Sequence, residues 1–319
     1  MRSPAVAGTS RMSSMFRIVL AVLWMTVASA PWAATYDETI PPGANYDKAE
    51  FRLWLPDAPG AVRAIVILVP GSNGDGRGQV DDPFWQTFAA KRHLALVGCR
   101  FTDKPHEQMF IEHYVDVSKG SGQALLDALA SLGKKSSHAE IASAPLLLWG
   151  MSAGGEFNYE FTAWKPERVV AFVVNKGNVY YTALAPLAAR RVPGVLFTGE
   201  KDLAFRIDAI NGLFAINRRA GALWSYVQEP GVGHEVAHSR EFAAVLFDEM
   251  LSARVSDNGE LRAVDEMTGL YGDAKTHSVQ PASESKPPAQ YPVSWLPTAR
   301  TARAWEAVVA GHTVESSRN

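Results

Sequence analysis

The sequence predicts an α/β fold in which a mostly parallel central sheet is covered by helices on both faces. Runs of apolar residues that lack polar alternation recur along the middle of the chain, which is typical of strands buried on both faces. Segments with helical spacing separate these runs. The chain has 319 residues, of which 47% are hydrophobic and 20% charged, so it can bury a sizeable core.

The predicted strands and helices alternate between residues 51 and 253. Residues 51–56 alternate apolar and polar side chains, as a half-buried strand at a sheet edge does. Inner strands are predicted at 64–69, 94–99, 146–149, 169–174, 195–198 and 223–227. Helices are predicted between them and after the last strand, at 83–94, 122–132, 154–164, 207–219 and 240–253.

Both ends of the chain depart from this pattern. Residues 1–34 carry three arginines ahead of an apolar run and then small residues, which is typical of a secretory signal peptide. An uncleaved membrane anchor is the alternative, but about 13 apolar residues are short for a full span. Residues 35–254 are predicted to form the α/β domain. Residues 255–319 form a C-terminal extension, a polar linker plus a final helix with Thr298 as its N-cap, packing on or near that domain.

Composition narrows the function classes. The formal net charge is −2 and no basic cluster stands out, so neither nucleic acid nor, once the signal peptide is cleaved, a membrane is expected as a partner. Cys99 is the only cysteine and lies in an apolar run, which predicts a buried side chain and no internal disulfide. From the predicted signal peptide, the expected location is outside the cytoplasm, periplasmic or secreted.

A strand–turn–helix motif surrounds Ser152. The apolar run 146–149 leads directly into Gly150-Met-Ser152-Ala-Gly154, and a predicted helix follows. A serine at the tip of so tight a turn needs small neighbours, which Gly150 and Gly154 supply. The turn also directs the N–H of Ala153 towards an oxyanion that forms on an acyl group attacked by Ser152. A simple strand-to-helix turn is the alternative interpretation of this short pattern.

Partners for the serine follow two later strands. A serine hydroxyl needs a base, and the base needs a group that fixes its tautomer. Asp202 follows the strand at 195–198, and His234 follows the strand at 223–227, in the chain order Ser, Asp, His. Alone, His234 would be a loop histidine and Asp202 a solvated turn acid or helix N-cap. Glu200 and Asp208 are the competing acids.

A glycine-rich loop after the strand at 64–69 supplies the second predicted oxyanion donor. Its glycines allow backbone N–H groups to approach a negative oxygen, and we assign the N–H of Ser72, with that of Asn73 as the alternate. A nucleotide-binding loop is disfavoured because the Gly-Lys-Ser/Thr ending is missing and Gln79 stands where a dinucleotide pattern needs glycine.

From about residue 51 to 253 the chain resembles an α/β-hydrolase, in particular secreted esterases of the polyhydroxybutyrate depolymerase and feruloyl esterase type. The resemblance rests on Gly150-Met-Ser152-Ala-Gly-Gly, Gly199-Glu-Lys-Asp202 and Gly233-His234. It implies Ser152 as nucleophile, Asp202 as acid and His234 as base. The oxyanion loop departs from the common His-Gly pattern, because this chain has Pro70-Gly71.

The sequence therefore predicts an exported serine hydrolase that cleaves carboxylic esters through an acyl-enzyme intermediate, with no cofactor and no metal. A peptidase or acyltransferase on the same fold is the first alternative, and a non-catalytic binding protein of hydrolase fold is the second. The expected partner is a small-molecule or oligomeric ester, and Asn73, Tyr180 and Tyr181 are the candidate residues that contact it. For the two tyrosines, packing on a surface helix is an equal alternative. His106 and His113 are candidate metal ligands, but their spacing favours a loop beside the site.

Overall fold

The computed structural model describes Met1 and residues 34–256, 258–285 and 291–314. The predicted signal peptide, apart from Met1 and Ala34, lies outside the described residues. The described residues from Ala34 to Val314 belong to one compact unit. Among the described helices, none combines the length and the apolar character that crossing a membrane requires.

Eight strands form the central sheet. They are β1 (Ala34–Ile40), β2 (Lys48–Leu55), β3 (Ala64–Val69), β4 (Leu94–Thr102), β5 (Leu146–Met151), β6 (Val169–Asn175), β7 (Gly194–Gly199) and β8 (Trp224–Glu229). Their spatial order is β1-β2-β4-β3-β5-β6-β7-β8. The pairs β1–β2 and β2–β4 are antiparallel, and every pair from β4 to β8 is parallel.

Helices cover both faces of this sheet. They are α1 (Pro83–Ala90), α2 (Ser121–Ser136), α3 (Ala153–Trp164), α4 (Leu187–Arg190), α5 (Ala204–Arg219), α6 (Ser239–Arg254) and α7 (Ala299–Val309). Two apolar cores result. One contains side chains of α2 to α5, and the other contains those of α1, α6 and α7. Alternate residues of β3 enter alternate cores, which explains why its sequence is apolar throughout and confirms the predicted fold class.

The strand predicted at residues 51–56 is not at the sheet edge, so that expectation is wrong. β1 covers β2 on its outer side and forms the edge itself. The prediction overlooked β1 because alternate side chains of that strand are exposed, as on a solvated edge, and because it begins directly after the apolar leader. Cys99 is buried and free, as predicted.

The C-terminal extension contains more regular structure than a linker. Residues 255–291 include β9 (Leu270–Asp273) and β10 (Ser278–Pro281), which join β11 (Ser294–Leu296) in a small antiparallel sheet. The final helix is α7, and the predicted N-cap is confirmed because Thr298 Oγ1 accepts a hydrogen bond from the N–H of Thr301 at 3.1 Å.

Candidate functional site

Ser152 occupies the tight turn between β5 and α3. Its backbone lies in a sparsely populated region, with φ 55° and ψ −125°. A Cβ at Gly150 would come within 2.2 Å of the Gly154 carbonyl oxygen, and a Cβ at Gly154 within 2.2 Å of the Val69 carbonyl oxygen. Any larger residue at either position would therefore collide with backbone. This confirms the prediction that the turn at Ser152 needs small residues at positions 150 and 154.

The carboxylate of Asp202 is the partner of His234. Nδ1 of His234 lies 2.8 Å from Oδ2 of Asp202, whose side chain is only 2% exposed. The other oxygen accepts hydrogen bonds from the N–H of Leu203 at 2.7 Å and from Arg206 at 3.1 Å. Burial raises the pKa of Asp202, but the hydrogen bonds from His234, Leu203 and Arg206 outweigh burial and lower it below its ordinary 3.8. An ionised Asp202 holds the proton of His234 on Nδ1 and leaves Nε2 to act as a base.

The two competing acids lie elsewhere. The carboxylate of Glu200 accepts the N–H of Gly231 at 2.7 Å, and Asp208 is exposed on α5. Ser152 Oγ makes no hydrogen bond to any described residue. In enzymes without bound substrate, the hydrogen bond between a nucleophile and its base is often long or poorly aligned, and it tightens in the complex.

Asn175, at the end of β6, connects the serine turn to the histidine loop. Its carbonyl oxygen accepts the N–H of Ser152 at 2.7 Å. Its side-chain amide donates to the carbonyl oxygen of Val236, two residues after His234, at 3.2 Å. One buried residue therefore contacts both segments that carry the predicted nucleophile and base.

The loop predicted to supply an oxyanion donor lies beside Ser152. A Cβ at Gly71 would be 3.5 Å from Cβ of Ser152. Asn73 has its N–H occupied by the hydroxyl of Tyr114 at 3.2 Å. Within the described part of the chain, neither Ser72 nor Ala153 has a hydrogen-bond acceptor for its N–H. The geometry therefore favours Ser72 over Asn73 as the partner of Ala153.

The remaining predicted site residues lie in different surroundings. Tyr180 packs edge-on against Tyr159 at the margin of the core, with ring centroids 5.2 Å apart, whereas Tyr181 is 46% exposed. The rings of His106 and His113 stack at 4.3 Å. No group of three or more His, Cys, Asp or Glu among the described residues is arranged to hold a metal ion.

Exposed apolar side chains lie near the predicted catalytic residues Asp202 and His234, and no motif in the sequence marks them. Phe205 follows Asp202 closely and forms a ring pair with Phe110, with centroids 6.5 Å apart. Arg206 lies over both rings and contacts Asp202. We use the name apolar rim for five apolar residues in these segments that are each more than one-third exposed. They are Met109, Phe110, Leu203, Phe205 and Val236.

A buried polar network also escaped the sequence analysis. Lys176 follows Asn175 directly, is fully buried, and forms an ion pair with Glu229 at the end of β8. Burial lowers the pKa of Lys176, and the charge of Glu229 opposes that shift. The available signal was a lysine and an asparagine at the carboxyl end of an otherwise apolar strand, since such ends collect functional groups in sheets of this kind.

Comparison with known proteins adds similarity in structure but not in sequence. No family model matches the chain, and no curated protein matches it significantly. A poly(3-hydroxybutyrate) depolymerase from Bordetella parapertussis is similar in structure, with TM-score 0.50, 17% identity, and 72% of this chain and 92% of that chain covered. An S-formylglutathione hydrolase from Agrobacterium tumefaciens has TM-score 0.49 and 13% identity, with 70% and 96% covered. An esterase from Pyrobaculum calidifontis has TM-score 0.47 and 15% identity, with 70% and 87% covered.

Proposed function

We propose that this chain, which has the α/β-hydrolase fold, is a serine hydrolase that cleaves carboxylic esters through an acyl-enzyme intermediate. The observation that carries the proposal is the 2.8 Å contact between His234 and the buried Asp202, on a loop joined through Asn175 to the turn of Ser152. From the pattern of residues 1–34 we infer that the protein is exported.

In this mechanism Ser152 Oγ attacks the carbonyl carbon of the ester and its proton passes to Nε2 of His234. The negative oxygen of the tetrahedral intermediate accepts hydrogen bonds from the N–H groups of Ser72 and Ala153. When the intermediate collapses, the C–O bond to the alcohol breaks and His234 returns the proton to the leaving oxygen. Water then attacks the acyl group, gives its proton to His234, and releases the carboxylic acid and Ser152.

The apolar rim supports an ester with an apolar acyl or alcohol group. Exposed apolar side chains gathered at one site mark an interaction surface rather than ordinary exposure. Phe110 and Phe205 form an exposed ring pair close to Asp202, and we infer that an apolar substituent of the substrate covers them. Because Phe205 and Phe110 are 47% and 56% exposed, covering the rest of one ring contributes roughly 1 kcal/mol to binding.

The test is fluorophosphonate labelling combined with rates on p-nitrophenyl esters of increasing acyl length and on the matching p-nitroanilides. We expect labelling of Ser152, ester turnover that exceeds anilide turnover, and loss of both labelling and turnover in Ser152→Ala. Ser252→Ala, an exposed serine on α6, is the matched control and should behave as the parent. Turnover that survives in Ser152→Ala, or that a chelator abolishes, contradicts the proposal, and a protein that neither labels nor turns over esters supports the non-catalytic alternative.

A further inference from the structure

The ion pair between Lys176 and Glu229 is buried directly beneath the candidate site. The side chains of the two residues are 0% and 1% exposed. Lys176 Nζ also donates to Oδ1 of Asn175 at 3.0 Å. A buried ion pair gains little net stability, because removing two charges from water offsets most of their attraction. Its position therefore points to a role other than stabilising the core.

Glu229 fixes both ends of the loop that carries His234. The loop leaves β8 at Glu229 itself and ends at His238, where α6 begins. Oε1 of Glu229 accepts the N–H of His238 at 2.9 Å and lies 3.2 Å from its ring Nδ1. The other carboxylate oxygen, Oε2, is held by Lys176. The geometry of this loop thus depends on where Lys176 holds the carboxylate.

The backbone is strained at Lys176 and next to His238, at the two ends of this network. Lys176 has φ 58° and Ala237, next to His238, has φ 42°, both in the left-handed region that non-glycine residues avoid. Such conformations persist where surrounding contacts enforce them, and they concentrate at functional sites. Here the enforcing contacts are the ion pair and the amide of Asn175, which also bonds the loop at Val236.

We propose that Lys176 and Glu229 are positioning residues, which hold the His234 loop in register with the Ser152 turn through Asn175. Neither touches the reacting atoms. Lys176 orients Glu229 and Asn175, Glu229 fixes the end of the loop at His238, and Asn175 fixes its middle at Val236 while its own carbonyl holds the N–H of Ser152. The inference rests on the proposed function.

The expected consequence is a defect in rate rather than in substrate affinity. Displacing a catalytic group by about 1 Å costs on the order of 100-fold in rate. Lys176→Met should therefore lower kcat and kcat/KM by about 100-fold with KM unchanged, because alignment in the transition state is lost and ground-state binding is not. The rate of fluorophosphonate labelling of Ser152 should fall by the same factor, while the final extent of labelling stays complete.

Because Lys176→Met leaves a buried carboxylate without its cation, the double variant Lys176→Met/Glu229→Gln is made alongside it. The neutral pair removes the buried charge and keeps an acceptor for His238, so thermal stability should return towards that of the parent while kcat stays low. Arg218→Met is the matched control. It breaks another largely buried ion pair, with Glu266, at the far end of α5 from Asp202. It should lower the melting temperature and leave kcat unchanged at a temperature where it is folded.

Two results would overturn the inference. One is a folded Lys176→Met with parental kcat, and the other is a double variant that regains parental kcat together with parental stability, since the pair would then only balance charge. If Lys176→Met fails to fold, the double variant alone decides between low and parental kcat. Activity that persists in Ser152→Ala would instead contradict the proposed function, so the two failures are distinguishable.

Discussion

We expect Glu156 to make the stability of the fold depend on pH. It lies in the first turn of α3 with its side chain buried, and Oε1 accepts the N–H of Asn178 at 2.6 Å. Burial, with a further contribution from the charge of Glu112, raises the pKa of Glu156 from 4.5 to about 8. The folded state therefore keeps a proton that the unfolded state releases. The stability this proton provides is complete below pH 4.5 and is lost as the pH rises through 8.

The size of the effect follows from that shift. One unit of pKa difference corresponds to about 1.4 kcal/mol, so between pH 6 and pH 9 the parent should lose about 2 to 3 kcal/mol through this carboxyl group. Glu156→Gln cannot ionise and keeps an oxygen for Asn178. Oε2 of Glu156 has no hydrogen-bond partner within the described residues, so a glutamine NH₂ group in its place breaks no hydrogen bond. The variant should match the parent at pH 6 and exceed its stability by about 2 to 3 kcal/mol at pH 9.

Urea unfolding at intervals between pH 6 and pH 9 measures this directly, with the midpoint and slope fitted at each pH. Glu167→Gln, whose side chain is 63% exposed, is the matched control and should follow the parent curve. Parallel curves for the parent and Glu156→Gln would refute the reasoning, because they would show that Glu156 is equally ionised in the folded and unfolded chain.

The other predictions concern the triad, the apolar rim and the final helix. Asp202→Asn should lower kcat by about 10³ to 10⁴, because His234 would adopt the wrong tautomer, while Asp208→Asn should remain near the parent. Ester hydrolysis and fluorophosphonate labelling of Ser152 should both be unaffected by EDTA, and loss of either with the chelator would contradict a serine mechanism. Phe205→Ala should raise KM for a long-chain ester about fivefold relative to the acetate ester, and equal changes would remove the apolar rim from the substrate site. Thr298→Ala should lower the free energy of unfolding by about 1 kcal/mol in urea, with kcat unchanged.

The fold was predictable wherever the pattern of burial is written into the sequence. Inner strands are apolar on both faces, so β3 and its neighbours stand out and their predicted bounds agree with the structure within a few residues. β1, β9 and β10 were missed because partly exposed strands mix polar and apolar residues much as loops do, and β11 because it has only three residues. β1 and β11 also pair with strands that are distant in sequence, as Ala34 does with Leu55 and Ser294 with Gly272.

In the candidate site too, the residues that a local motif marks were predictable, and those that only the fold brings together were not. Ser152 was identifiable because its turn imposes a fixed spacing of glycines, and Asp202 and His234 because they follow predicted strands. The network of Lys176, Glu229 and Asn175 has no such local requirement. It exists because β6 and β8 end at the same side of the sheet, so its contacts can be recognised only when the strand order is known. The apolar rim likewise joins residues 109–110 to 203–205 across long separations in sequence.

The C-terminal extension bears on the same network through β8. That strand is the last in the sheet, and a strand there leaves its outer backbone groups without a neighbouring strand. The N–H of Tyr226 is bonded by Ser294 Oγ at 2.9 Å, and its carbonyl oxygen accepts the indole N–H of the buried Trp305 at 2.9 Å. Residues outside the predicted α/β domain thus complete the edge of the strand that ends in Glu229. The extension therefore covers, at Tyr226, the sheet edge that β8 would otherwise leave open.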